Sequence, residues 1–184
     1  MMHAIVVYES MYGNTRHVAE AVARGLGAFD DVKVVPVSAA AAVDPGDYGL
    51  VVVGGPTHVH GMSRESTRHG AEAAAESSAG HLVMESDAAS EGVREWLQRL
   101  SGMPGRAAAF DTRFDGVPLL TGRASKGIDR HLRRAGFTMI APPESFLVTG
   151  KDTILLPGEE NRAQTWGENL AARALIAPPE APEP

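Results

Sequence analysis

The stretch Ala4-Ile5-Val6-Val7-Tyr8-Glu9-Ser10-Met11-Tyr12-Gly13-Asn14-Thr15 is the most informative part of the chain, because an apolar run passes directly into a short polar loop. Residues 4–8 are predicted as the first strand. Residues 14–26 are predicted as a helix, since Val18, Val22 and Leu26 recur every four residues. A buried strand that leads through a tight loop into a helix is typical of the first unit of an α/β fold.

The loop between this strand and helix has the chemistry of an anion site. It offers hydroxyl groups at Ser10 and Thr15, and Gly13 permits a close approach of the backbone. The exposed N–H groups of the helix N-terminus and the positive end of its dipole suit a phosphate group. The alternative is an ordinary turn in which Ser10 or Asn14 only caps the helix.

Short apolar runs alternate with amphipathic stretches along the rest of the chain. Further strands are predicted at residues 32–37, 50–53 and 106–110, and a fifth is split by Pro142-Pro143 into residues 137–140 and 145–148. Helices are predicted at residues 64–76, 92–100, 125–135 and 159–176, with loop or extended chain at residues 82–90. The alternation predicts an α/β fold with a doubly wound, five-stranded parallel sheet, whose interrupted strand lies at an edge. Such sheets bind ligands beyond the carboxyl ends of their strands.

Composition narrows the classes of function. The chain has 184 residues, of which 43% are apolar, and this fits one domain over residues 1–176 with a loose proline-rich tail at residues 177–184. A formal net charge of −6 argues against a sequence-independent nucleic-acid binder. Cysteine is absent, so any redox chemistry has to come from a cofactor. No apolar stretch approaches the ~20 residues of a membrane span, and we expect a cytoplasmic protein with no membrane contact.

The pattern Val6-Val7-Tyr8-x-Ser10-x-x-Gly13-x-Thr15-x-x-x-Ala19-x-x-Val22 resembles the flavodoxin signature at every specified position. Fingerprints for dinucleotides and nucleoside triphosphates are missing after the strands, as is the acidic pair of response-regulator receivers. The resemblance implies a flavodoxin-like fold and flavin mononucleotide (FMN) as cofactor. It further implies that the FMN phosphate is held by Ser10, Met11, Tyr12, Gly13, Asn14 and Thr15. Arg16 and His17 follow this loop, and we expect both to face solvent.

A second loop is predicted after the third strand, at Gly54-Gly55-Pro56-Thr57-His58-Val59-His60-Gly61-Met62. It should lie beside the first loop and contact the flavin ring, with Thr57 as a hydrogen-bonding group and His58, Val59 or His60 covering a ring face. The stretch is similar to the Gly-x-Pro-Thr stretch of flavodoxin-like quinone reductases. Alternatively, His58 and His60 are surface histidines, or a metal pair for which the sequence offers no nearby third ligand.

A third loop is predicted after the fourth strand, at Asp111-Thr112-Arg113-Phe114-Asp115-Gly116. The resemblance implies that its backbone amides meet the pyrimidine end of the flavin and that Phe114 stacks on the ring. The alternative for Phe114 is a hydrophobic anchor on Leu119 and Leu120. Arg113 either donates to a flavin carbonyl or bridges to Asp111 or Asp115.

Three functions remain open from the sequence. The first is an electron carrier that uses bound FMN and exchanges electrons with a redox partner protein or a small-molecule acceptor. The second is an FMN-dependent NAD(P)H:quinone-type oxidoreductase, which needs a second pocket beside the flavin. The third is a flavodoxin-fold binding module that has lost tight flavin binding. The oligomeric state is left open, and no catalytic side chain or metal ligand is predicted.

Overall fold

The structure is a computed structural model that describes residues 2–58, 61–66, 84–85, 90–116, 122–149 and 153–176. Its strands are β1 (His3–Tyr8), β2 (Asp31–Pro36), β3 (Leu50–His58), β4 (Gly61–Met62), β5 (Gly105–Phe114), β6 (Phe137–Met139) and β7 (Glu144–Val148). Its α-helices are α1 (Asn14–Gly25), α2 (Val93–Arg99), α3 (Ala124–Ala135) and α4 (Glu159–Ile176). Two short 3₁₀ helices, Val37–Ala42 and Pro45–Asp47, connect β2 to β3.

The strands form a sheet in the order β2-β1-β3-β5, and β6 and β7 both pair with β5. All of these pairings are parallel, while β4 forms an antiparallel hairpin with β3. β6 pairs with the beginning of β5 and β7 with its end, so the two act as one edge strand interrupted at Pro142-Pro143. This confirms the predicted doubly wound sheet in flavodoxin-like order.

The helices cover both faces of the sheet. Since successive side chains of a strand point to opposite faces, Val6 of β1 packs on the face of α1 and α4, whereas Val7 packs on the face of α2 and α3. Both side chains are fully buried, which explains why the strands are apolar without alternation. Among the described helices, none has the length and hydropathy to cross a membrane.

α1 and α4 cross in backbone contact. A Cβ atom added at Gly25 would lie 2.1 Å from the carbonyl oxygen of Gln164, and one at Gly167 would lie 2.3 Å from that of Val22. These distances are below any that real Cβ atoms adopt, so glycine is required on both helices. The contact fixes α1, which carries the first loop at its N-terminus, against α4.

An aromatic cluster anchors the centre of the same face. The rings of Phe110, Phe146 and Trp166 meet edge to face, with centroids 6.0 to 6.2 Å apart. Gly54 of β3 lies directly against Phe110, since a Cβ there would be 2.0 Å from the ring. The glycine therefore makes room for a core aromatic, which explains why it occurs within a central strand.

Two predicted boundaries were wrong, and both concern the functional loops. β3 continues through Gly54 to His58, although Gly54-Gly55-Pro56 was expected to end it, and β5 continues through Asp111 to Phe114. The parallel register carries on from Gly54 opposite Phe110 to Pro56 opposite Thr112. Pairing across the sheet thus overrides the local breaking tendency of glycine and proline.

The remaining predicted elements agree within about two residues where they are described. Only residues 64–66 of the predicted helix at 64–76 are described, and of these 65–66 are helical. Most of the predicted loop at residues 82–90, together with the tail at residues 177–184, lies outside the described residues.

Candidate functional site

The candidate site lies at the carboxyl ends of β1, β3 and β5. The sheet order reverses between β1 and β3, and in open α/β sheets this reversal opens a crevice for ligands. The N–H of Glu9 donates to the carbonyl of Gly54 at 3.0 Å, which ties the start of the first loop to β3. The three predicted loop regions are therefore neighbours, as expected for one binding site.

The first loop turns tightly at Gly13. This residue has φ of 86°, a left-handed conformation that favours glycine, and its N–H donates to Ser10 Oγ at 3.1 Å. Gly13 precedes α1 and has no side chain with which to cap it, and the first turn of α1 holds no acidic residue. The first amide groups of α1 consequently have neither a helical carbonyl nor a carboxylate of that turn as a partner. Ser10 Oγ accepts from Gly13 and keeps its own hydrogen for donation.

Thr15 connects the first loop to β5. Its hydroxyl oxygen lies 2.8 Å from that of Thr112, and both residues are buried. Within such a pair one hydroxyl donates and the other accepts, so one of the two hydrogens is still available to a third group. Two of the predicted site residues, from the first and third regions, are thus in direct contact.

The Asn14 side chain binds a neighbouring segment of protein. Its amide nitrogen donates to the carbonyl of Thr153, and its oxygen accepts from the N–H of Leu155 at 3.1 Å. Thr153 has φ of 49°, a strained conformation for a threonine, and Asn14 helps to hold it. The side-chain amide is therefore engaged within the protein, while the backbone N–H of Asn14 has no hydrogen-bond partner among the described residues.

Met11 and Tyr12 form a small cluster with Met84 beneath the loop. Met11 is almost fully buried, and the N–H of Glu85 donates to its carbonyl at 2.9 Å. Burial raises the pKa of the Tyr12 hydroxyl, which stays protonated at neutral pH.

Arg16 does not simply face solvent, which corrects the expectation from the sequence. Its Nε donates to Glu85 Oε1 at 2.6 Å and its Nη1 donates to Glu20 Oε1 at 3.1 Å. His17 is exposed, as expected. No local pattern indicates the contact between Arg16 and Glu85, because the two residues are 69 positions apart.

The second predicted region forms the hairpin of β3 and β4. Pro56, Thr57 and His58 belong to β3, and Gly61 of β4 pairs with His58. Val59 and His60 lie outside the described residues. Burial lowers the pKa of His58, so that its imidazole is neutral at pH 7. No group of three or more potential metal ligands occurs in the described part of the chain.

Thr57 and Asp111 jointly hold the N-terminus of α3. Asp111 is fully buried, and its Oδ2 accepts from the N–H of Ser125 at 2.7 Å and from Thr57 Oγ1 at 3.2 Å. Thr57 Oγ1 in turn accepts from the N–H of Ala124 at 2.9 Å. Two helix amides are thereby satisfied by side chains from two strands, and the negative charge is stabilised by the helix dipole.

Glu9 has a similar structural role that the sequence did not reveal. Its side chain is buried, and its Oε2 accepts from the N–H of Val93, the first residue of α2, at 2.8 Å. Glu9 immediately follows β1, just as Asp111 follows the central part of β5. A carboxylate placed directly after an apolar run is the one sequence signal that was available for either contact.

Arg113 and Phe114 end β5. The guanidinium of Arg113 donates to the carbonyls of Phe114 and Gly116, at 3.1 and 2.9 Å, and so braces the turn that follows. Phe114 is 45% exposed, an unusual position for a large aromatic side chain. Its predicted alternative partners, Leu119 and Leu120, lie outside the described residues.

Comparison with solved structures places this fold among flavodoxins. A flavodoxin from the domain Archaea is 21% identical, with a TM-score of 0.55, over 95% of this chain and 99% of that one. Oxidised Flavodoxin 1 from Bacillus cereus is 14% identical, with a TM-score of 0.59, over 96% of this chain and 99% of that one. A flavodoxin, WrbA-like protein from Agrobacterium tumefaciens is 15% identical, with a TM-score of 0.52, over 96% of this chain and 99% of that one.

Comparison at the level of sequence identifies the protein family. A search of curated proteins gives no match. The sequence model of the family described as Flavodoxin matches residues 6–100, which run from the second half of β1 through the first loop, α1, β2 and β3 to α2. This is more than half of the chain, and the chain therefore belongs to the flavodoxin family.

Proposed function

We propose that this protein binds FMN at the carboxyl ends of β1, β3 and β5 and carries electrons on the bound flavin. The observation that carries the proposal is the first loop. Its left-handed Gly13 exposes the first amides of α1, and the hydroxyls of Ser10 and Thr15 flank them. Family membership supports the same cofactor.

The donor set fits a phosphate dianion. A dianion needs several fixed hydrogen-bond donors, and a helix N-terminus provides them together with a favourable dipole. We assign the phosphate to Ser10, Met11, Tyr12, Gly13, Asn14 and Thr15. For Asn14 this concerns the backbone N–H, since its side chain binds Thr153 and Leu155. Thr112 orients the Thr15 hydroxyl and is thus part of the same arrangement.

We assign the flavin ring to the ends of β3 and β5. The proposed contacts are Pro56, Thr57, His58, Val59, His60 and Gly61 on one side and Asp111, Thr112, Arg113 and Phe114 on the other. The exposed ring of Phe114 offers an apolar face for stacking, and the neutral imidazole of His58 adds no charge beside the flavin. Bound FMN supplies the redox chemistry itself, and the protein supplies position and electrostatics.

The polar side chains around the crevice favour a carrier over an NAD(P)H:quinone-type oxidoreductase. Thr57 and Asp111 bind the N-terminus of α3, and Glu9 binds that of α2, so one oxygen of each of these side chains is engaged in the scaffold. A carrier needs a rigidly held flavin and a partner protein or small acceptor, and it needs no general acid or base. Steady-state oxidation of NAD(P)H by the FMN-loaded protein, with a quinone as acceptor, would instead support the oxidoreductase.

The phosphate assignment is tested with the double variant Ser10→Ala/Thr15→Val. The valine keeps the shape of Thr15 and removes only its hydroxyl. Each hydrogen bond to a charged group is worth about 1.5–3 kcal/mol, so FMN should bind at least about 100-fold more weakly. Fluorescence titration of FMN measures the dissociation constant, and riboflavin, which has no phosphate, should be affected far less.

The matched control is Ser101→Ala/Thr165→Ala, which removes two exposed hydroxyls from other parts of the chain. This control should bind FMN like the unmodified protein. If the Ser10/Thr15 variant retains its affinity for FMN while the protein stays folded, the phosphate does not lie in the first loop. If the unmodified protein takes up no FMN, the proposed function itself is wrong.

A further inference from the structure

Arg16 and Glu85 form an ion pair at the edge of the first loop. Arg16 Nε donates to Glu85 Oε1 at 2.6 Å, and the N–H of Glu85 donates to the carbonyl of Met11 at 2.9 Å. Met84 packs against Met11 from the same side. The segment 84–85 is thereby fastened to the loop by a charge, a backbone hydrogen bond and an apolar contact.

Both charged groups lie beside Gly13. A Cβ atom at Gly13 would be 3.7 Å from Glu85 Oε1 and 3.8 Å from Arg16 Nη2. Gly13 is the residue at which the loop turns into α1, so the pair borders the amides assigned to the phosphate. A cation and an anion therefore both lie next to the turn at Gly13.

Two of the three guanidinium nitrogens of Arg16 donate hydrogen bonds to described residues. Its Nε binds Glu85 and its Nη1 binds Glu20, while Nη2, the nitrogen nearest Gly13, has no hydrogen-bond partner among the described residues. A guanidinium has five N–H donors in a fixed plane and suits phosphate oxygens. The charge of Glu85 has the opposite effect, because a carboxylate repels a neighbouring phosphate.

We propose that Arg16 is a phosphate ligand of FMN and that Glu85 competes with the phosphate for its guanidinium. This inference rests on the proposed function. Arg16 is held in place by Glu20 as well as by Glu85, so it stays beside Gly13 when its bond to Glu85 weakens. Binding of the phosphate then loosens the attachment of segment 84–85 to the loop, and Glu85 limits the affinity for FMN.

The test compares FMN with riboflavin in single variants. Arg16→Gln should weaken FMN binding roughly tenfold, since one hydrogen bond to a charged group is lost at a partly exposed site, and should leave riboflavin binding unchanged. Glu85→Gln should strengthen FMN binding several-fold, because the repelling charge is removed while Glu20 still positions Arg16. Dissociation constants from flavin fluorescence give both ratios, and the effects should shrink at high salt.

Matched controls come from an ion pair between α1 and α4. Arg24 and Glu160 lie 3.7 Å apart and are both exposed, at the end of α1 remote from the loop. Arg24→Gln and Glu160→Gln should leave FMN and riboflavin binding within about twofold of the original, as expected for surface pairs.

Two results would overturn the inference. One is an Arg16→Gln variant in which the ratio of FMN to riboflavin affinity is unchanged. The other is a Glu85→Gln variant that binds FMN as weakly as Arg16→Gln, which would mean that the pair only shapes the loop. Failure of the unmodified protein to bind FMN would contradict the proposed function. That outcome can be told apart from both variant results, because it is measured before any substitution is made.

Discussion

Replacing Gly167 by alanine should destabilise the protein through the crossing of α1 and α4. The new Cβ would lie 2.3 Å from the carbonyl oxygen of Val22 and 3.1 Å from the Cα of Gly25. Backbone atoms cannot rotate away, so the helices must separate. Overpacking of this kind lowers the free energy of unfolding by about 1–3 kcal/mol, and so short a contact lies at the upper end of that range. The higher helix propensity of alanine raises the free energy of unfolding by about 1 kcal/mol. We expect a net loss of about 2 kcal/mol.

Urea unfolding followed by tryptophan fluorescence is the appropriate assay, because Trp166 is adjacent to the substitution. For a chain of this size, a loss of about 2 kcal/mol corresponds to a fall of about 4–8 °C in Tm. The slope of the unfolding free energy against urea should stay unchanged, which shows that the native state has kept its compactness.

Gly127→Ala provides the control. Gly127 also lies inside a helix, α3, but the three atoms nearest to its Cβ would all belong to the flexible Met62 side chain, the closest at 3.2 Å. Helix propensity then dominates, and stability should stay the same or rise by up to about 1 kcal/mol. A Gly167→Ala variant that is as stable as the original protein, or equal destabilisation by both substitutions, would mean that the backbone contact between α1 and α4 leaves room for a methyl group.

Two further predictions concern residues at the site. Burial lowers the pKa of His58, so His58 binds a proton in the unfolded chain at a higher pH than in the folded protein. The contribution of His58 to the free energy of unfolding should therefore be fully present above about pH 6.5 and decrease as the pH falls below that value. Urea midpoints at pH 7.5 and 5.5 should show a smaller decrease in His58→Gln, whereas the exposed His17→Gln should behave like the original protein. Asn14→Ala removes the hydrogen bonds to Thr153 and Leu155 and should cost about 1–3 kcal/mol by thermal unfolding. An unchanged Tm for Asn14→Ala would mean that Asn14 does not stabilise the segment at 153–155.

The parts of the fold that the sequence predicted are those with local signals. The β1 strand, the glycine turn at Gly13 and the amphipathic α1 each follow from residues within a few positions of one another. The interrupted edge strand followed from Pro142-Pro143, which cannot join a continuous ladder. The parallel, doubly wound arrangement of the strands followed from their alternation with helices.

The parts that the sequence did not predict depend on contacts between distant residues. The bond between Thr15 and Thr112 spans 97 positions, and that between Thr57 and Asp111 spans 54. Gly54 was interpreted as a strand breaker because the need for space came from Phe110, which is far away in the sequence. A side chain engaged across the sheet is indistinguishable, in the sequence alone, from one that is free to bind a ligand.

The attachment of Asn14 to Thr153 and Leu155 has a consequence for the order of assembly. The first loop is translated early, but Asn14 can bind Thr153 only after 139 further residues have been made. The helix α1 also packs against α4, which is translated later still. Contacts of such high separation form slowly, because a long loop of chain has to close first. On the ribosome, the first loop therefore reaches its final form only after the rest of the sheet and α4 have emerged.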